Sequence, residues 1–128
     1  MPTFPGTTGQ VVTSAMWNGL PAFEVQTAKT ADYTAGSGDE YQQLIPMNKA
    51  TAIAFQIPTD ATYNFAVGTV ITVLNIGVGT CTISAVTPGT TTVLSAGTTA
   101  ASPTLAQYKS AACIKTAANT WYVVGAIA

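Results

Sequence analysis

The chain has 128 residues, 48% of them apolar, with four Lys, no Arg, no His and five acidic residues for a net charge of −1. General acid/base catalysis, metal ligation and phosphate binding require ionisable or strongly donating side chains at defined spacings, and few candidates exist here. Nor does the net charge supply an electrostatic footprint for nucleic acid or an anionic membrane. The composition therefore points to a packing and assembly protein, with no enzymatic activity and no cofactor.

One domain fits this length, and at this size folding buries roughly two thirds of the unfolded chain's surface. So few charges predict a surface covered by Thr and Ser hydroxyls, partly buried against other copies of the chain. The N-terminus lacks a secretory pattern of charged flank, apolar run and small-residue cleavage site. The longest apolar run, Val67 to Val78, is broken by Gly68, Thr69, Thr72, Asn75 and Gly77. It falls short of the roughly 18–20 residues that span a bilayer. A protein made in the cytoplasm, acting alone or within an assembly, is the expectation.

Residues 1–22 read as an arm. Met1 to Gln10 (MPTFPGTTGQ) carries two Pro and two Gly and predicts no regular structure. Thr13 to Leu20 (TSAMWNGL) predicts a short helical turn, with Thr13 or Ser14 as N-cap, Asn18-Gly19 as terminator and Pro21 preventing continuation. Such a turn is unstable alone. Phe4, Val11, Val12, Met16, Trp17 and Leu20 therefore need another surface, on this domain or on a partner.

Residues 23–128 read as strands. Thr51 to Ile57 places Ile53, Phe55 and Ile57 on one face before Pro58. Thr69 to Ile76 (TVITVLNI) is apolar on both faces, predicting a central strand covered on both sides. After a turn at Gly77–Gly79, Thr80 to Val86 alternates, with Cys81, Ile83 and Ala85 inward. Pro88-Gly89 turns the chain into Thr91 to Ala96. Leu105 to Thr116 and Thr120 to Ile127 follow, separated by Ala118-Asn119. Short strands with turn signals every 8–12 residues predict an all-β, antiparallel β-sandwich. Its core should contain Ile53, Phe55, Ile57, Val70, Val73, Leu74, Ile83, Val123 and Ile127.

Few constellations bear chemistry. Gly36-Ser37-Gly38-Asp39-Glu40 could hold a hard cation such as Ca²⁺, but its spacing matches no loop motif, so a solvated turn is the simpler reading and no metal site is assigned. Asp60 reads as a local turn former. Lys49, Lys109 and Lys115 have no acid partner nearby in sequence. Without His, the many Ser residues and Cys81 and Cys113 make no ordinary hydrolase. The two Cys read as buried thiols rather than a disulfide. Tyr33, Tyr41, Tyr63, Tyr108, Trp121 and Tyr122 could line a shallow glycan-binding face, but core and strand-edge packing is the simpler reading.

Several segments in order resemble a β domain of tailed-bacteriophage virion proteins. They are Tyr33, DEYQQL at 39–44, the strand ending Ile57-Pro58, FAVGTVI at 65–71, GTCTI at 79–83 and WYVVG at 121–125. The segment from Phe4 to Asn18 is similar to the attachment segments that precede such domains. The resemblance implies a homotrimeric structural domain on the virion, jelly-roll-like, with no catalytic residues. Fibre proteins usually continue into shafts or tips, and this chain stops. That favours a capsid decoration or cement protein, which bridges subunits of the major capsid protein or docks on another virion protein through the arm residues Phe4, Val11, Val12, Met16, Trp17 and Leu20. The alternative is a tail, neck or head fibre subunit that binds a host glycan.

Overall fold

A computed structural model describes residues 25–41, 44–95, 97 and 101–127. The expected arm and its helical turn, with Phe4, Val11, Val12, Met16, Trp17 and Leu20, lie outside the described residues. Among the described residues the regular structure is all β.

Nine strands follow one another: β1 (Tyr33–Thr34), β2 (Leu44–Met47), β3 (Ile53–Ile57), β4 (Val70–Asn75), β5 (Cys81–Ala85), β6 (Thr92–Leu94), β7 (Thr104–Leu105), β8 (Ser110–Ala117) and β9 (Thr120–Gly125). They form a four-stranded sheet, β1-β3-β5-β7, and a five-stranded sheet, β2-β4-β8-β9-β6. Up to β8, each strand lies in the opposite sheet from its predecessor.

This alternation overturns the antiparallel expectation. β1–β3, β2–β4, β3–β5 and β6–β9 are parallel; only β4–β8, β5–β7 and β8–β9 are antiparallel. The physical reason lies in the connections. Parallel neighbours need a crossover of a dozen or more residues. Here the partners Leu44 and Thr72, Ile53 and Cys81, and Thr92 and Thr120 are each 28 positions apart, which leaves room for a strand of the other sheet between them. Only β8 and β9 are consecutive strands within one sheet. Their hairpin closes over Ala118-Asn119, where Asn119 takes φ +48°, a conformation Asn tolerates.

The core lies where both sheets contribute inward side chains. Ile53, Phe55, Ile57, Cys81, Ile83 and Leu105 come from the four-stranded sheet. Ile45, Met47, Ile71, Val73, Cys113, Trp121 and Val123 come from the other. Each fully buried Ile, Val, Leu or Phe contributes about 1.5–3 kcal/mol of transfer free energy. Two expected core residues are corrected: Val70 and Leu74 are half-buried, while Val73 turns inward as expected and Ile71 and Asn75 point inward beside it. β4 is central within its sheet, yet its two faces differ, because an apolar pattern on both faces does not say what covers the second. Ile127 packs on the core only in part.

Turns at one end are stacked. Lys29 N–H donates to Pro46 O and Asn48 N–H to Lys29 O, at 2.8 Å each; Ile76 N–H donates to Met47 O at 2.9 Å and Gly79 N–H to Lys49 O at 2.9 Å. Backbone approaches so closely that a Cβ on Gly79 would overlap the Thr51 carbonyl, and one on Gly77 would overlap the Lys49 amide. Glycine is needed there for proximity. Asn75 is fully buried inside this end: its amide donates to Gly79 O and Leu105 O at 2.8 Å and accepts from Gly77 N–H at 3.1 Å.

Candidate functional site

The charged side chains are concentrated in two internal polar networks. The first is built on Lys115, which β8 projects inward on the same face as Ala111 and Cys113. Lys almost never lies fully buried without partners, and Lys115 is 1% exposed. Its ammonium donates to Asp60 Oδ1 and Asn64 Oδ1 at 2.8 Å and to Phe65 O at 2.7 Å. Three donors meet three acceptors, so the group is saturated as a hydrogen-bond donor. It fastens the β3–β4 loop to the five-stranded sheet.

Asp60 extends this network. Its Oδ2 accepts from Asn119 N–H at 2.9 Å, while its own N–H donates to Asn119 Oδ1 at 2.8 Å. The loop is thereby tied to the tip of the β8–β9 hairpin. Burial alone would raise the Asp60 carboxyl, but the hydrogen bonds from Lys115 and Asn119 and the Lys115 charge outweigh it and hold the group below its ordinary value. The local-turn expectation for Asp60 is therefore corrected, since its partners stand 55 and 59 positions away. The distance along the chain is why proximity in sequence failed to find them.

The second network surrounds Asp39, which the solvated-turn expectation misplaced: it is 2% exposed. Gln26 Nε2 donates to Oδ1 at 2.6 Å, Tyr33 Oη donates to Oδ2 at 2.8 Å, and Gly36 N–H donates to Oδ2 at 2.8 Å. The turn needs Gly38 at φ +97°. Burial, and then the hydrogen bond and charge of Asp39, push the Tyr33 phenol up to about 12. The Tyr33 ring packs against Phe55 at 6.1 Å between centroids, and the Lys29 ammonium lies 4.3 Å from its centroid. Glu40 accepts from Gly38 N–H and from Tyr63 Oη, both at 2.8 Å.

All four carboxylates of the described residues thus accept hydrogen bonds from within the protein, Asp32 from Ala54 N–H at 2.9 Å. The would-be cation cluster at 36–40 is a set of internal struts. Among the described residues no three His, Cys, Asp or Glu side chains converge as metal ligands.

The aromatic residues divide. Tyr63, Phe65 and Trp121 form an edge-to-face series, with centroids 4.5 and 5.6 Å apart, whereas Tyr41, Tyr108 and Tyr122 are exposed. The buried indole N–H of Trp121 has no hydrogen-bond partner. Cys81 and Cys113 are free and buried, and burial pushes their thiols up to about 11 and about 12. Among the described residues no helix is long and apolar enough to cross a membrane.

Comparison with family models, curated proteins and solved structures returned no significant match.

Proposed function

We propose that the chain is a structural protein of a tailed-bacteriophage virion: a head decoration or cement protein that forms a homotrimer and stabilises the head by bridging capsid subunits. One observation carries it. The four carboxylates of the described residues and the Lys115 ammonium, groups that a reactive centre would present to a substrate, are instead engaged in hydrogen bonds with backbone and side chains of the protein, stiffening the loops between strands. A stiff body suits mechanical work, in which each bridging contact opposes expansion of the shell by packaged DNA. In this reading the two sheets pack as a β-sandwich, jelly-roll-like only in that strands alternate between sheets. The arm residues Phe4, Val11, Val12, Met16, Trp17 and Leu20 supply the contact with the capsid.

Quantitative mass spectrometry of purified phage particles tests the placement. A copy number on the scale of the capsid shell supports decoration, and a few copies per particle would exclude it. Exposed Tyr41 and Tyr108 (54% and 75%) favour one second reading, a fibre subunit whose rings stack on host glycan. A glycan array with the purified chain separates the two.

A further inference from the structure

Lys115 Nζ stands against two acyl side chains of one loop. It lies 2.8 Å from Asp60 Oδ1 and 2.8 Å from Asn64 Oδ1, with Phe65 O at 2.7 Å. A carbonyl bond is about 1.2 Å long, so Asn64 Cγ is within about 4 Å of the nitrogen. The loop is held in place: Thr62 and Tyr63 N–H both donate to Thr59 O at 3.0 Å, and Asp60 is tied to Asn119 through its own N–H and its carboxylate. Water is kept out. Lys115 is 1% exposed, Phe65 2%, and Trp121, the register partner of Lys115 on β9, 1%. An amine, an amide and a carboxyl group fixed together in a dry apolar surround have the proximity that bond formation requires.

We infer that Lys115 and Asn64 join in an intramolecular isopeptide bond, with Asp60 as the acid and base that moves the protons. The reaction has no external substrate and goes beyond the proposed function, since it concerns the chain alone. At rest Asp60 is a carboxylate and Lys115 an ammonium, which has no lone pair to attack with. The first step is proton transfer along the 2.8 Å hydrogen bond to Asp60 Oδ1. Away from water, a neutral amine beside a neutral acid is less disfavoured than in solution. Asn64 is the electrophile because its amide carries no charge, whereas a carboxylate resists a nucleophile. The Asn side-chain amide turns about a broad torsion, which brings Cγ to face the freed lone pair. The Nζ–Cγ bond then forms. The attacking nitrogen passes a proton to Asp60 as the Asp60 proton moves to the Asn64 amide nitrogen, whose bond to Cγ breaks. Ammonia leaves, taking the remaining proton as ammonium and returning Asp60 to carboxylate. Nothing is oxidised or reduced: a Lys ammonium and an Asn amide become a secondary amide and an ammonium ion. The product ties the β3–β4 loop to β8 across 51 positions. Until it forms, the network holds through hydrogen bonds and the ion pair alone.

Mass spectrometry of the purified full chain, denatured after prolonged incubation in its folded form, tests the inference. The expected mass is one ammonia below that of the sequence, and a proteolytic digest should contain a branched peptide joining Asn64 to Lys115. Asn18-Gly19 can also lose ammonia by closing a succinimide, so a deficit confined to a linear peptide would overturn the inference. The full sequence mass would overturn it too. A branch from Lys115 to Asp60, with loss of one water, would overturn the choice of Asn64. Asn64→Ser should keep its full mass, and a branch on Lys115 in that variant would do the same. A folded Asp60→Ala chain should form the bond at least about a hundred-fold more slowly, the scale of general acid–base catalysis. Formation at the wild-type rate would remove Asp60 from the reaction and overturn its role. None of these outcomes depends on the trimer or on its place on a virion.

Discussion

Replacing Lys115 by Met would leave Asp60, Asn64 and Phe65 O without their shared donor. Removing one partner of a wholly buried ion pair costs about 3–5 kcal/mol; the Asp60 side chain is 18% exposed, so about 2–4 kcal/mol is expected from chemical unfolding. The double variant Lys115→Met, Asp60→Asn should recover part of that loss, because it leaves no unpaired charge. The pH limits follow from the same groups. Asp60 titrates below its ordinary 3.8 in the fold. Its contribution is therefore complete above about pH 4 and disappears as pH falls through the depressed value. Tyr33, moved from 10.0 to about 12, favours the neutral phenol in the fold. Its contribution is complete below pH 10 and lost between there and about 12. Phenolate absorbance on alkaline titration should show one tyrosine ionising last; five tyrosines titrating together near 10 would contradict the Asp39 network.

The stacked turns make a prediction at the level of elements. Gly79→Ala drives a methyl into the Thr51 carbonyl of the neighbouring turn, and Gly89→Ala meets nothing within 4 Å. Thermal unfolding should show a loss of about 3 kcal/mol for the first, at the upper end of overpacking costs, and almost none for the second. Equal effects would mean that the β4–β5 turn is free to move from the 48–51 loop. The core pairing of β3 with β5 has a separate test. Phe55 is fully buried opposite Ile83, and Phe55→Ala should cost about 3–5 kcal/mol. An unchanged unfolding midpoint would contradict the inward assignment of β3.

For the whole molecule, the proposal divides attachment from trimerisation. Deleting Met1 to Leu20 should leave a folded trimer that has lost binding to particles lacking the protein. Undiminished binding by that folded trimer would move the contact to the β domain.

The positions of β3, β4, β5, β6, β8 and β9, the inward faces of β3 and β5, and the β8–β9 turn are legible in the sequence; the short β1 and β2 are not, and β7 reads as one segment with β8 from Leu105 to Thr116 until the turn at 107–108 divides them. Those features are local: alternation of period two in Thr51–Ile57 and Thr80–Val86, and Asn119 at a position of positive φ, are written in adjacent residues. Which strands pair was decided only by the tertiary structure. Turn residues say that the chain reverses, but a turn within one sheet and a crossing to the other use the same Gly, Pro and Asn. Hence the parallel pairings were illegible. The same limit hid the polar networks: Lys115 finds Asp60 across 55 positions, and Asp39 looks solvated until the Tyr33 phenol and Gln26 fold over it. β4 shows the boundary within one strand. Its apolar residues on both sides are plain in the sequence, but which side enters the core depends on where the second sheet lies, and no short-range pattern encodes that.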